Sequence, residues 1–188
     1  MLEMNVQTVY FDMPGKKNTK DTIRIAKKRA EELGIKSIIL SSSGGFTAKL
    51  ALNEIKDETK LIVVGFPDRF PKELKTELES KGHKVLFPSD YTFDHPASAW
   101  ELLRRFGEGM KVAVQIVLMA TEAGMLSEGE EVISMGGTGT REFPEGGGCD
   151  LAIVMEAVKG ENFFSITLPP FEKKMKGRKI KEIICRPR

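Results

Sequence analysis

Cysteine is scarce: Cys149 and Cys185 are the two in a chain of 188 residues. They show no C-x-x-C spacing and no companion histidine cluster, which excludes a disulfide framework and a zinc site of recognisable spacing. Buried, reduced thiols are expected instead. Long apolar runs are also missing, since the longest, VAVQIVLMA from Val112, falls well short of the roughly 20 residues a bilayer-crossing helix needs. The opening MLEMNVQTVYFDMPG has neither the basic region nor the apolar core of a signal peptide. A soluble cytoplasmic protein without a membrane partner is therefore expected. Charge of one sign is lacking too: 29 basic against 27 acidic residues leave a formal charge of +2, so no global field calls for nucleic acid. The basic tail from Lys173 to Arg188 interleaves its charges with Ile180, Ile183 and Ile184 and carries no stacking aromatic beside them. It reads as a solvated edge strand rather than a nucleic-acid patch.

What is present is an alternation of strand and helix patterns. TVYFD from Thr8 reads as a strand. Asn18 or Thr19 can cap a helix whose Ile23, Ala26, Ala30 and Leu33 share one face, and Gly34 ends it. IKSIILS, KLIVVG and HKVLFP follow as apolar strands, with helices from Phe46 to Ile55 and from Pro71 between them. After the irregular SDYTFDHP come a helix from Pro96 through Arg105 and a second from Met110 to Ala123, apolar on nearly all sides and hence enclosed. EEVISMGGTGT and CDLAIVMEAV supply two more strands, and KIKEIICRPR a last strand at the sheet edge. Nearly continuous apolar strands between helices point to a single three-layer α/β/α domain over residues 1–188, with a mostly parallel sheet.

Ligands in such sheets gather beyond the carboxyl ends of the strands. The stretch SSSGGFTA lies at one such end. Gly44 and Gly45 are expected to turn the backbone with positive φ and let it approach an oxyanion, Ser41, Ser43 and Thr47 add hydroxyls, and the helix beginning at Phe46 turns its free N–H groups the same way. The same residues would also serve a plain capped turn. No lysine follows in the GxxxxGK(S/T) order, so Walker chemistry is excluded. The second loop, SMGGTGTREFPEGGGCD, offers Gly136, Gly137, Thr138, Gly139 and Thr140 as further donors. Glu142 occupies the third glycine position of a dinucleotide fingerprint, which therefore fails.

The segment IILSSSGGFTAKLA resembles the strand, T-x-S-G-x-S/T-A turn and helix of the pyruvate kinase C-terminal α/β domain. The likeness extends in outline over most of the chain, which looks like the small stand-alone pyruvate kinase α/β-domain proteins. Ser41 matches the first threonine of the motif, Ser43 and Gly44 its S-G pair, and Thr47 with Ala48 its close. Gly45 and Phe46 stand where the motif has one position, usually basic. The resemblance implies a pyruvate kinase C-terminal domain-like fold, with FMN as ligand in the stand-alone relatives and a sugar bisphosphate effector in pyruvate kinase. Pyruvate kinase activity itself needs a (β/α)₈ barrel of about 250 residues, for which this chain has no room.

An isoalloxazine ring asks for apolar or aromatic surfaces. Phe46, Phe66 beside Gly65, and the YTFDH segment are candidates for that role, although each also suits a core. His95 beside Asp94 is a candidate acid or base, and a helix-entry residue on the plainer reading. No serine sits in a G-x-S-x-G elbow. The resemblance thus implies an FMN-binding protein, a candidate flavin-dependent oxidoreductase, with a non-catalytic module sensing a phosphorylated metabolite as the alternative. Whether it is an enzyme, and whether it forms a homo-oligomer, stays open.

Overall fold

The computed structural model describes residues 5–55, 58–88, 96–140, 146–164 and 180–188. The YTFDH segment with Asp94 and His95, Glu142, and the basic tail up to residue 179 lie outside the described residues.

Seven strands form one sheet: β1 (Val9–Phe11), β2 (Ser37–Ser41), β3 (Lys60–Val64), β4 (Lys84–Leu86), β5 (Glu131–Gly136), β6 (Leu151–Glu156) and β7 (Ile180–Pro187). Their spatial order is β1-β7-β6-β5-β2-β3-β4. The pairings β1·β7, β2·β3, β2·β5 and β3·β4 are parallel, whereas β6 is antiparallel to both its neighbours. Six strands therefore point one way and β6 alone runs against them. The expectation of a mostly parallel sheet holds. The placing of the last strand at the edge does not: β7 pairs with β1 on one side and β6 on the other, so β1 is the outer strand. A short terminal strand can add to an open edge from the far end of the sequence, which local patterning does not show.

Helices α1 (Thr19–Leu33), α2 (Phe46–Glu54) and α3 (Lys72–Ser80) cover one face of the sheet. Ile23 and Ala26 of α1, Ala48 and Ala51 of α2, and Leu74 and Leu78 of α3 pack with Ile38, Leu40, Leu61 and Val63. Helices α4 (Ala97–Arg104), α5 (Glu108–Glu122) and α6 (Gly160–Phe164) lie on the other. There Met110, Val114 and Val117 meet Ile39, Ile62, Leu151 and Ile153. Adjacent residues of the inner strands β2, β3 and β6 go to opposite cores, so Ile38 and Leu40 face one layer and Ile39 the other. Each such buried side chain contributes about 1.5–3 kcal/mol. Helix α5 is buried on several sides, in agreement with its apolar surround.

Local chemistry sets the helix ends. Gly34 closes α1 in the left-handed conformation, φ 69°. Pro71 and Pro96 stand extended just before α3 and α4, where a missing N–H costs no helical bond. Arg29 of α1 clasps Glu182 of β7 with Nε and Nη2 at 2.8 and 2.7 Å, tying the first helix to the last strand. Among the described residues no helix is long and apolar enough to cross a membrane, and no cluster of three metal-ligating side chains occurs.

Candidate functional site

The carboxyl ends of the six co-directional strands make one rim, and the reversed β6 begins on it. After Ser41 the backbone stays with the sheet for one residue, the Ser42 N–H donating to Val64 O at 2.8 Å. Ser42 is buried, and its Oγ accepts the Ala48 N–H at 3.1 Å. The capping hydroxyl of α2 is thus Ser42, which the sequence pattern did not single out among three adjacent serines. Ser41 Oγ lies 3.8 Å from Cys149 Sγ, and the buried Thr47 hydroxyl also bonds that thiol. These two hydroxyls serve the interior. Ser43 and Gly44 remain exposed.

The two glycines of the turn differ in what they are for. Gly45 has φ 86°, and a Cβ there would stand 2.8 Å from Leu74 Cδ2 and 3.0 Å from Pro71 Cδ. Packing against α3 requires it. Gly44, against the expectation of positive φ at both glycines, has none, because Gly45 alone makes the left-handed turn; a Cβ built on Gly44 would meet only Arg69 O at 3.8 Å. The fold does not demand glycine at 44, and the open face of the turn is left without a side chain. The N–H groups of Phe46 and Thr47 open α2, where no preceding turn can accept them.

From the end of β3, Gly65 donates to Leu86 O, and Phe66 donates to Ser43 O at 3.3 Å, binding the loop after β3 to the turn after β2. A Cβ on Gly65 would lie 2.6 Å from the Phe70 ring, so that glycine is also a packing residue. Phe66 and Phe46 are 45% and 41% exposed; Phe46 follows the Ser43–Gly44 turn in sequence, and Phe66 is tied to it through its N–H.

The β5–β6 connection is built around Asp150, which has no solvent exposure. Its Oδ2 accepts the Gly15 N–H at 2.8 Å and its Oδ1 the Thr138 N–H at 3.1 Å. Burial raises its carboxyl above the ordinary aspartate range, opposed by these N–H groups. A Cβ on Gly136 would collide with Gly109 O at the start of α5, and one on Gly137 with Gly148 O. Gly136, Gly137 and the Thr138 N–H are therefore occupied within the fold, while Gly139 has open space around it and Thr140 is exposed. Cys149, between Thr19 Oγ1 and Ser41, is wholly buried, and its thiol is pushed up to about 12 by desolvation. Both cysteines are free, as expected.

A lysine that the sequence did not single out joins this group. Lys16, in the 3-10 turn Lys16–Asn18 that follows β1, places Nζ 4.0 Å from the centroid of the Phe46 ring. The signal for it was there: PGKKN lies beyond the carboxyl end of the first strand, the same kind of position as SSSGGF. Two cavities occur elsewhere. One, of about 360 Å³, lies between Leu103, Phe106, Met110 and β7. The other, of about 260 Å³, lies among Lys27, Glu31, Lys36 and Thr59 near the amino ends of β2 and β3. Neither lining includes a candidate residue. The first is mostly apolar and the second has no aromatic surface, whereas the rim combines donors, a cation and two exposed rings.

The chain matches no protein-family model. Among solved structures it is similar to a pyruvate kinase from Cryptosporidium parvum at 15% identity and a TM-score of 0.44, over 74% of this chain and 23% of that one. A Cryptosporidium parvum pyruvate kinase in complex with ADP is similar at 16% identity and the same TM-score, over 74% of this chain and 24% of that one. The chain thus spans about a quarter of the length of these pyruvate kinases.

Proposed function

We propose that the rim binds a phosphate-bearing small molecule with a planar ring, FMN being the occupant its chemistry suits best. The observation that carries this is the Ser43–Gly44 turn: an exposed residue with a hydroxyl and a glycine the fold does not require, followed in sequence by the exposed Phe46 under the Lys16 ammonium and bonded through the backbone to the exposed Phe66. FMN fits these donors. Ser43 Oγ and the N–H groups opening α2 would hold the phosphate, where the helix terminus adds attraction of about 0.3–1 kcal/mol. Phe46 and Phe66 would lie against the ring system, and Gly139 and Thr140 would add polar contacts.

Bound FMN supplies hydride or electron transfer at N5, and the chain's own groups bind and orient. Asp150 already accepts two backbone N–H groups, and Cys149 stays protonated at neutral pH. Neither is free to move a proton for a substrate. This supports binding as the chain's role, with oxidoreductase activity depending on what reduces the flavin. A module sensing a phosphorylated metabolite would use the same turn and leave the two rings unexplained.

The visible spectrum of the purified protein, before and after addition of FMN and removal of excess, is the test. Retained flavin bands, with fluorescence quenched, are expected. A folded protein that retains none but is stabilised by sugar phosphates would replace FMN with the metabolite reading.

A further inference from the structure

The buried carboxylate of Asp150 bonds two separate rim segments, one oxygen to each. Oδ2 takes the N–H of Gly15, directly before Lys16, and Oδ1 takes that of Thr138, directly before Gly139. Gly15 has φ 116°, a conformation that leads the chain into the turn carrying Lys16. Lys16 then reaches the turn after β2 and rests over Phe46 at 4.0 Å. Among the described residues no ion pair joins a carboxylate to the Lys16 ammonium. Its partner among the described residues is a ring face, which does not neutralise the charge and leaves it able to pair with an anion.

We propose that Asp150 is a positioning residue that, through Gly15, sets Lys16 over Phe46, and that Lys16 is the charge by which the rim prefers a phosphorylated ligand to its unphosphorylated counterpart. This inference rests on the proposed phosphate-bearing ligand and adds the residue that selects for it. A lysine so placed acts on the phosphate alone, whereas the ring platform acts on both ligands. The two contributions can therefore be separated.

The experiment measures Kd for FMN and for riboflavin with the wild type, Lys16→Ala, Asp150→Asn and the double variant. Lys16→Ala is expected to weaken FMN about tenfold or more, the scale of one charge-assisted contact, and to leave riboflavin within about threefold. Asp150→Asn is expected to weaken FMN by a similar factor, and the double variant to be no worse than the weaker single one, since both remove the same contact. Multiplying effects would show that Asp150 does not act through Lys16. Equal losses for FMN and riboflavin would show that Lys16 does not read the phosphate. Either result overturns the proposal. If Asp150→Asn does not fold, Gly15→Ala displaces the same anchor from its other side and must give the same loss of FMN affinity, or the proposal fails. A wild type that binds neither FMN nor inorganic phosphate removes the underlying reading and this inference with it. Wild-type binding of FMN unaffected by Lys16→Ala removes the inference alone.

Discussion

Gly44 and Gly45 are neighbours with opposite expected responses to the same substitution. Gly45→Val places a β-branched side chain at φ 86° and a Cβ 2.8 Å from Leu74 Cδ2 and 3.0 Å from Pro71 Cδ. Left-handed strain costs about 1–2 kcal/mol and overpacking about 1–3 kcal/mol. Together these amount to about 2–5 kcal/mol, a Tm lower by about 4–20 °C in a chain of this size. Gly44→Val meets only Arg69 O at 3.8 Å, without positive φ. Its effect on stability should stay below about 1 kcal/mol, or about 4 °C. Its effect on binding should be large, because the new side chain stands where the phosphate would approach the N–H groups. A loss of at least about 2 kcal/mol, or about thirtyfold in Kd, follows if most of one or two charged hydrogen bonds is lost. Circular dichroism melts and FMN fluorescence titrations measure the two effects. A Gly44→Val protein with wild-type Tm and wild-type FMN affinity would refute the phosphate assignment at this turn, and a Gly45→Val protein with wild-type Tm would refute the packing account.

Two further outcomes are expected. Both thiols are buried and pushed up to about 12, so neither Cys149 nor Cys185 should react with a thiol reagent near pH 8 until the protein is unfolded; prompt labelling of the native protein would contradict their burial. Asp150 has a folded-state pKa above its unfolded one, with desolvation the leading cause. Its contribution to stability is therefore fully present below the ordinary aspartate range, near pH 4, and is lost as pH rises through the elevated value. Urea unfolding from pH 4 to 7 should show wild-type stability falling relative to Asp150→Asn over that window, and a constant difference would refute the shift.

Much of the fold was legible because its strands are apolar throughout and its helices carry clear one-sided faces. Ile38 to Leu40 had to be covered on both sides, and three-layer packing follows from that. The position of β7 was not legible, since the three residues of β1 pair with it from the other end of the chain. The reversal of β6 had a sign in the sequence: no helical pattern separates β5 from β6, and a parallel neighbour needs a crossover, usually helical. At the site, the sequence located the turn but not the use of each hydroxyl. Three serines in a row differ only in direction, and direction decided that Ser42 caps the helix while Ser41 turns to Cys149. The reach of Lys16 to Phe46 joins two loops 30 positions apart, beyond what any local spacing can encode.

The reversal of β6 also changes how this rim can vary. In a wholly parallel sheet, chain leaving one strand must return across the sheet before it can start the next, and a longer loop has to coexist with that return. Between Gly136 and Leu151 the chain leaves and re-enters at the same end. Its two ends are fixed, Gly137 lying against Gly148 and the Thr138 N–H on Asp150, so it is the stretch between them that can be lengthened or exchanged without re-threading a helix, at a closure cost of only about 0.6 kcal/mol per doubling of length. One backward strand thus gives the rim a segment that can be altered between two fixed ends while the sheet behind it stays in place.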